Sequence, residues 1–112
     1  MEEVVVNKER LIDQFINLVK IDSPSYQERE IAEYLKEWLS NMGLDVIEDN
    51  VNQKIKGNTG NLIARLDGDT KKETIAFSAH LDTVESTQDI KPLVEKGIIK
   101  TDAKTILGAD DK

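Results

Sequence analysis

The chain is predicted to be α/β, with two helices followed by strands of a layered sheet on which those helices pack. Three observations carry this expectation. The first forty residues repeat apolar positions at helical spacing, the period changes after Gly43, and Thr74–Ala79 is a nearly continuous apolar run of the kind found in a central strand covered on both faces.

The first helix follows Asn7, a residue suited to capping a helix start. Leu11, Phe15, Leu18 and Val19, with Ile12 alongside, recur through about Lys20. Asp22-Ser23-Pro24-Ser25 breaks it, because Pro24 disfavours helix at Ser23. The second helix is expected to start at Ser25 as N-cap, with Glu28 three residues on completing a capping box. Its apolar stripe is Ile31, Leu35, Trp38, Leu39 and Met42, read as core, and Gly43 is the stop. Leu44 to Glu48 reads as a strand, Asn50 to Gly60 as a polar connection, and Asn61 to Leu66 as a second strand before the Asp67-Gly68-Asp69 turn. After the central run, Lys91–Val94 and Ile98–Lys100 flank a turn near Gly97 and suggest a small hairpin. Thr105-Ile106-Leu107 leads into Gly108-Ala109-Asp110-Asp111-Lys112, a loop directed at a site.

Composition narrows the function. The 112 residues suit one domain. With 38% hydrophobic and 33% charged residues, and no apolar run as long as a membrane span, the chain is expected not to engage a membrane. No secretory signal is read at the N-terminus. The absence of cysteine excludes disulfides and thiolate metal sites and favours the cytoplasm. A net charge of -7, from 15 basic and 22 acidic residues, repels phosphate backbones, and 4% aromatics cannot build a base-stacking platform; no nucleic-acid partner is expected.

His80, the only histidine, ends the central apolar run, and Asp82 follows two residues on. In extended backbone both side chains face the same side, so the carboxylate can orient the ring and raise its basicity. The carboxyl end of a strand is where open α/β sheets bind ligands. By spacing alone His-x-Asp also suits an ordinary strand-end surface, and Asp110-Asp111 an ordinary solvated loop.

Taken together, the motifs point further. Ser78-Ala79-His80-Leu81-Asp82-Thr83-Val84 resembles the first metal-binding motif of the aminoacylase and peptidase T family of metallopeptidases, and Thr105–Lys112 resembles the second, closest to its peptidase T-like branch. Ile21–Ser25 with Glu28 and Glu30, and Gly60–Ala64, are similar to the family's first loop, second helix and early strand. Ala103 departs from the usual glycine before the second motif.

The resemblance implies a three-layer α/β/α zinc-exopeptidase catalytic domain with a mixed sheet, residues 1–112 forming its N-terminal portion, incomplete and without the lid and dimerisation domain. It implies that His80 ligates one zinc, that Asp82 is the catalytic-site carboxylate supporting that histidine, and that Asp110 bridges two zinc ions. The Asp110–Asp111 peptide bond is often cis in such proteins. The family's Glu-Glu pair and second histidine are not in the chain. The expectation is therefore a parent enzyme that cleaves short peptides, tripeptides foremost, with this piece inactive and weak for metal. Unfinished sheet edges would favour a homodimer or other self-association. The alternatives are an amino-acid deacylase or carboxypeptidase of the same family, or a non-catalytic split subunit or binding module.

Overall fold

The computed structural model describes residues 2–110 and 112. Helix α1 (Lys8–Val19) begins as expected: the Asn7 side chain accepts a hydrogen bond from the Arg10 amide at 3.0 Å, satisfying one of the orphan donors of a helix start. Phe15, Leu18 and Val19 bury against Ile90, Leu107 and Ala109, so α1 packs on the second sequence motif and on the segment that precedes the second hairpin. Leu11, read as part of that stripe, is exposed.

Helix α2 (Arg29–Asn41) corrects the expected start. Ser25 is not its cap: the helix begins four residues later, with Glu28 at the N-cap position and no capping bond from its side chain. The physical reason is a competing partner. Asn58, from a distant loop, accepts the Arg29 amide at 3.0 Å, while Glu28 turns back to accept the Tyr26 amide at 2.8 Å. The end is as expected. Gly43 has φ +90°, its amide bonds Ser40, and the Leu44 amide bonds Leu39, the paired bonds of a Schellman motif. Ile31 and Ala32 are fully buried and Trp38 is half-buried, but Met42, read as core, is exposed.

Strands β1 (Asp45–Glu48) and β2 (Leu62–Arg65) pair antiparallel, with Asp45 opposite Arg65 and Glu48 opposite Leu62. The connection between them carries a single helical turn, α3 (Asn52–Ile55). Helix α2 lies on this hairpin. Glu48 clamps the assembly: it accepts both terminal nitrogens of Arg29 at 3.0 and 2.8 Å, the Thr59 hydroxyl at 3.0 Å and the Gly60 amide at 3.0 Å. Strands β3 (Pro92–Glu95) and β4 (Ile98–Thr101) form the expected second hairpin. Lys96 and Gly97 both have positive φ at its tip, as the twist of a two-residue hairpin demands.

The α/β class stands, with helices first and strands after. The described strands form two separate two-stranded antiparallel sheets rather than one mixed sheet. The expected central strand, Thr74–Ala79, is not a strand among the described residues, and Ile75 and Phe77 are 78% and 94% exposed. A strand of this composition needs neighbours on both edges and cover on both faces. Here β1 pairs with β2 and β3 with β4, which leaves the run without either. The radius of gyration of 16.0 Å agrees, since a closed domain of this length would have about 13 Å.

Candidate metal centre

The site is built on the loop Asp22–Ser25, which gathers segments far apart in sequence. The Thr83 amide donates to the Ser23 carbonyl at 2.8 Å, and Pro24 and Thr83 form a parallel bridge. The Asp22 carboxylate accepts the Ser86 hydroxyl at 2.9 Å and the Thr87 amide at 2.8 Å. These bonds fix residues 83–87 directly after His80 and Asp82. The Ile106 amide then donates to Glu85 at 3.1 Å, and Lys112 reaches the buried Ser23 hydroxyl at 2.9 Å, which brings the second motif onto the first.

Gly108 makes that approach possible. It has φ +85°, and a Cβ there would lie 2.6 Å from the Thr83 methyl. The neighbouring Ala109 is buried in the α1 core. Only a residue without a side chain fits this position in this conformation. The result is a cleft of about 430 Å³ lined by His80, Thr83, Val84, Leu107, Gly108 and Asp110, among others.

His80 and Asp82 stand as their spacing implies. The His80 Nδ1 lies 2.7 Å from the Asp82 carbonyl oxygen and 3.1 Å from its Oδ1. Both partners are acceptors, so Nδ1 carries the proton. The other carboxylate oxygen, Oδ2, accepts the Ser25 hydroxyl at 2.5 Å. That hydroxyl, above all, holds the Asp82 carboxyl below the usual carboxylate range; His80 pulls the same way and partial burial opposes both.

His80 and Asp110 thus line one cleft, and Asp82 backs the imidazole from behind. Among the described residues no group of three or more His, Cys, Asp or Glu side chains converges as a metal site. Asp111, and with it the peptide bond that joins it to Asp110, lies outside the described residues. The roles of Asp22, Ser23, Ser25 and Glu85 were not read from the sequence. The signals in the sequence are the polar run around Pro24 and the similarity of Ile21–Ser25 to the family's first loop, and neither names partners that lie 57 to 89 residues away.

No family model matches the chain. It is 46% identical over 108 residues to the uncharacterized protein YqjE of Bacillus subtilis (strain 168), covering 96% of this chain and 29% of that protein. It is 31% identical over 114 residues to the cytosol non-specific dipeptidase of Escherichia coli (strain K12), covering 90% and 22% respectively. Among solved structures it is similar to the aminopeptidase PepT of Bacillus cereus ATCC 10987, with TM-score 0.88, 39% identity and 95% of this chain covered. It is also similar to a tripeptidase of Staphylococcus aureus subsp. aureus Mu50, with TM-score 0.89, 37% identity and 96% covered. The chain spans 29% of each of those two structures. No helix among the described residues is long and apolar enough to cross a membrane. In sequence and in fold together, the chain is similar to part of an aminopeptidase PepT and of a tripeptidase.

Proposed function

We propose that the chain is the N-terminal portion of the catalytic domain of a cytoplasmic, zinc-dependent peptidase that hydrolyses tripeptides. The carrying observation is the His80 ring, held through Nδ1 by Asp82, in one cleft with the Asp110 carboxylate.

The donor types fit zinc, which takes imidazole nitrogen and carboxylate oxygen. With its proton on Nδ1, His80 would offer Nε2 to the ion. Asp110 would offer two oxygens, one for each of two ions. Zinc bound there would polarise a peptide carbonyl and acidify a bound water. Asp82 keeps the ring in the tautomer and orientation that ligation needs. Gly108 and Thr83 set the distance between the two motifs.

Two protein ligands fall short of the three or four that zinc normally takes. The 112-residue chain therefore binds zinc weakly and hydrolyses no peptide alone. Its exposed Ile75 and Phe77 favour self-association. The likeness to a non-specific dipeptidase supports dipeptides as the second substrate class.

Zinc titration of the chain with calorimetry tests the assignment. Weak binding is expected in the native chain and none in His80→Ala or Asp110→Asn. Binding that survives both substitutions refutes the ligand assignment. Zinc-dependent release of amino acids from a tripeptide by the purified chain refutes its inactivity.

A further inference from the structure

Asp82 has two oxygens and two different partners. Its Oδ1 faces the His80 ring at 3.1 Å and its Oδ2 takes the Ser25 hydroxyl at 2.5 Å. A carboxylate held at one oxygen can swing about its terminal torsion, which has a broad, roughly two-fold energy profile. Held at both oxygens by separate segments, it cannot swing without breaking a bond. We propose that Ser25 is a positioning residue for the metal-binding ring: its hydroxyl fixes the Asp82 carboxylate, which in turn fixes the His80 imidazole. The metal-binding part of this statement rests on the function proposed above; the chain Ser25–Asp82–His80 rests on the geometry alone.

Two features separate this arrangement from ordinary loop packing. Ser25 is exposed, so water is at hand for its hydroxyl and burial does not force the bond to Asp82. The turn around it is also constrained from several sides. Pro24 bridges Thr83, and the Gln27 amide bonds the Pro24 carbonyl at 2.9 Å. Tyr26 sits in the left-handed region at φ 71°, costly for an aromatic residue, and is held there from both ends. Its amide donates to Glu28 at 2.8 Å, and its carbonyl accepts the Asn58 amide at 3.1 Å. The same Asn58 takes over the capping of α2 with its side chain, which releases Ser25 from the role its position before the helix suggests.

The single histidine makes the test direct, because ring-labelled [15N]histidine yields one set of side-chain signals. The ring nitrogens are recorded at a pH where the imidazole is neutral, in the native chain and in Ser25→Ala, Ser25→Cys and Ser25→Thr, with and without zinc. Trp38 fluorescence checks that each variant is folded. The native chain should show the Nδ1-protonated tautomer. Ser25→Ala should shift the nitrogen signals towards a mixture of tautomers and weaken zinc binding about tenfold. Ser25→Cys, close in size but a poor donor, should behave like Ser25→Ala. Ser25→Thr, which keeps the hydroxyl, should retain the native signals. Ring signals unchanged in both Ser25→Ala and Ser25→Cys would overturn the proposal, because the Asp82 carbonyl would then suffice to hold the ring. Ring nitrogens of the native chain that ignore zinc would instead overturn the assignment of His80 as a ligand. The tautomer comparison among the Ser25 variants would still decide the positioning role.

Discussion

Replacing Glu48 with glutamine should expose how much of this fold hangs on one carboxylate. Glu48 sits at the end of β1 with its side chain 18% exposed, facing Arg29 at the start of α2 and the Thr59–Gly60 segment that enters β2. The Arg29 contact above all, then the Gly60 amide, push its carboxyl down to about 2 from an ordinary 4.5; desolvation opposes them, and the Thr59 hydroxyl adds a smaller downward pull. By linkage that displacement corresponds to ~3 kcal/mol in favour of the folded, ionised form. Arg29 is 39% exposed, and Lys36, whose Nζ also reaches the Glu48 carboxylate at 3.4 Å, is 35% exposed, so solvent screening brings the expected value to about 1–2 kcal/mol. The sign follows from the lowered value. The stabilisation is fully present above pH about 4.5 and is lost as pH falls towards 2. Urea unfolding followed by the fluorescence of Trp38, the only tryptophan, measures it. Glu48→Gln should be less stable than the native chain by about 1–2 kcal/mol at pH 7, with most of that deficit gone at pH 2.5 and the two converging only as pH falls through about 2. A deficit that is absent at pH 7, or unchanged at pH 2.5, would refute the argument.

Three further outcomes are expected. Gly60→Ala should cost about 2 kcal/mol or more in urea unfolding, because the new Cβ would lie 1.9 Å from the Asp49 carbonyl oxygen, which belongs to backbone paired with Asn61 and cannot move aside cheaply; native-like stability would contradict that. Gly108→Ala should pull the second motif off Thr83 and lose zinc binding, at about 1–2 kcal/mol for the left-handed backbone plus the clash with the Thr83 methyl; zinc calorimetry reads this, and unchanged affinity would count against the cleft. The double substitution Ile75→Ser with Phe77→Ser should leave stability nearly unchanged, since both side chains are exposed, yet lower the mass seen by light scattering at high concentration; an unaltered mass would place any self-association elsewhere.

Much of the local structure is legible in the residues themselves. Asn7 capping α1, Gly43 ending α2, the β1 and β2 segments and the Lys96-Gly97 turn depend on neighbours within a few positions, and each forms as its residues imply. The contact between His80 and Asp82 is likewise local, made between residues two positions apart. Elements whose partners lie far away in sequence differ from what their residues imply. Ser25 has the chemistry of a helix cap, but a hydroxyl serves whichever partner the fold supplies, and the fold supplies Asp82. Thr74–Ala79 has the composition of a buried strand, yet composition does not provide the neighbouring strands that burial requires.

The sequence alone implies an α/β chain, shows it to be acidic and cysteine-free, and gives it a resemblance to the peptidase T-like family carried by the motifs that hold His80, Asp82 and Asp110. Short-range backbone preferences and ordered motifs carry that much, because they need no knowledge of the third dimension. Only the tertiary structure decided that Asp22–Ser25 is the hub joining the two motifs, that Gly108 sits against Thr83, and that Glu48 locks α2 to the first hairpin. Those contacts join residues 19 to 89 positions apart, and a polar side chain does not encode which distant group will come within reach of it.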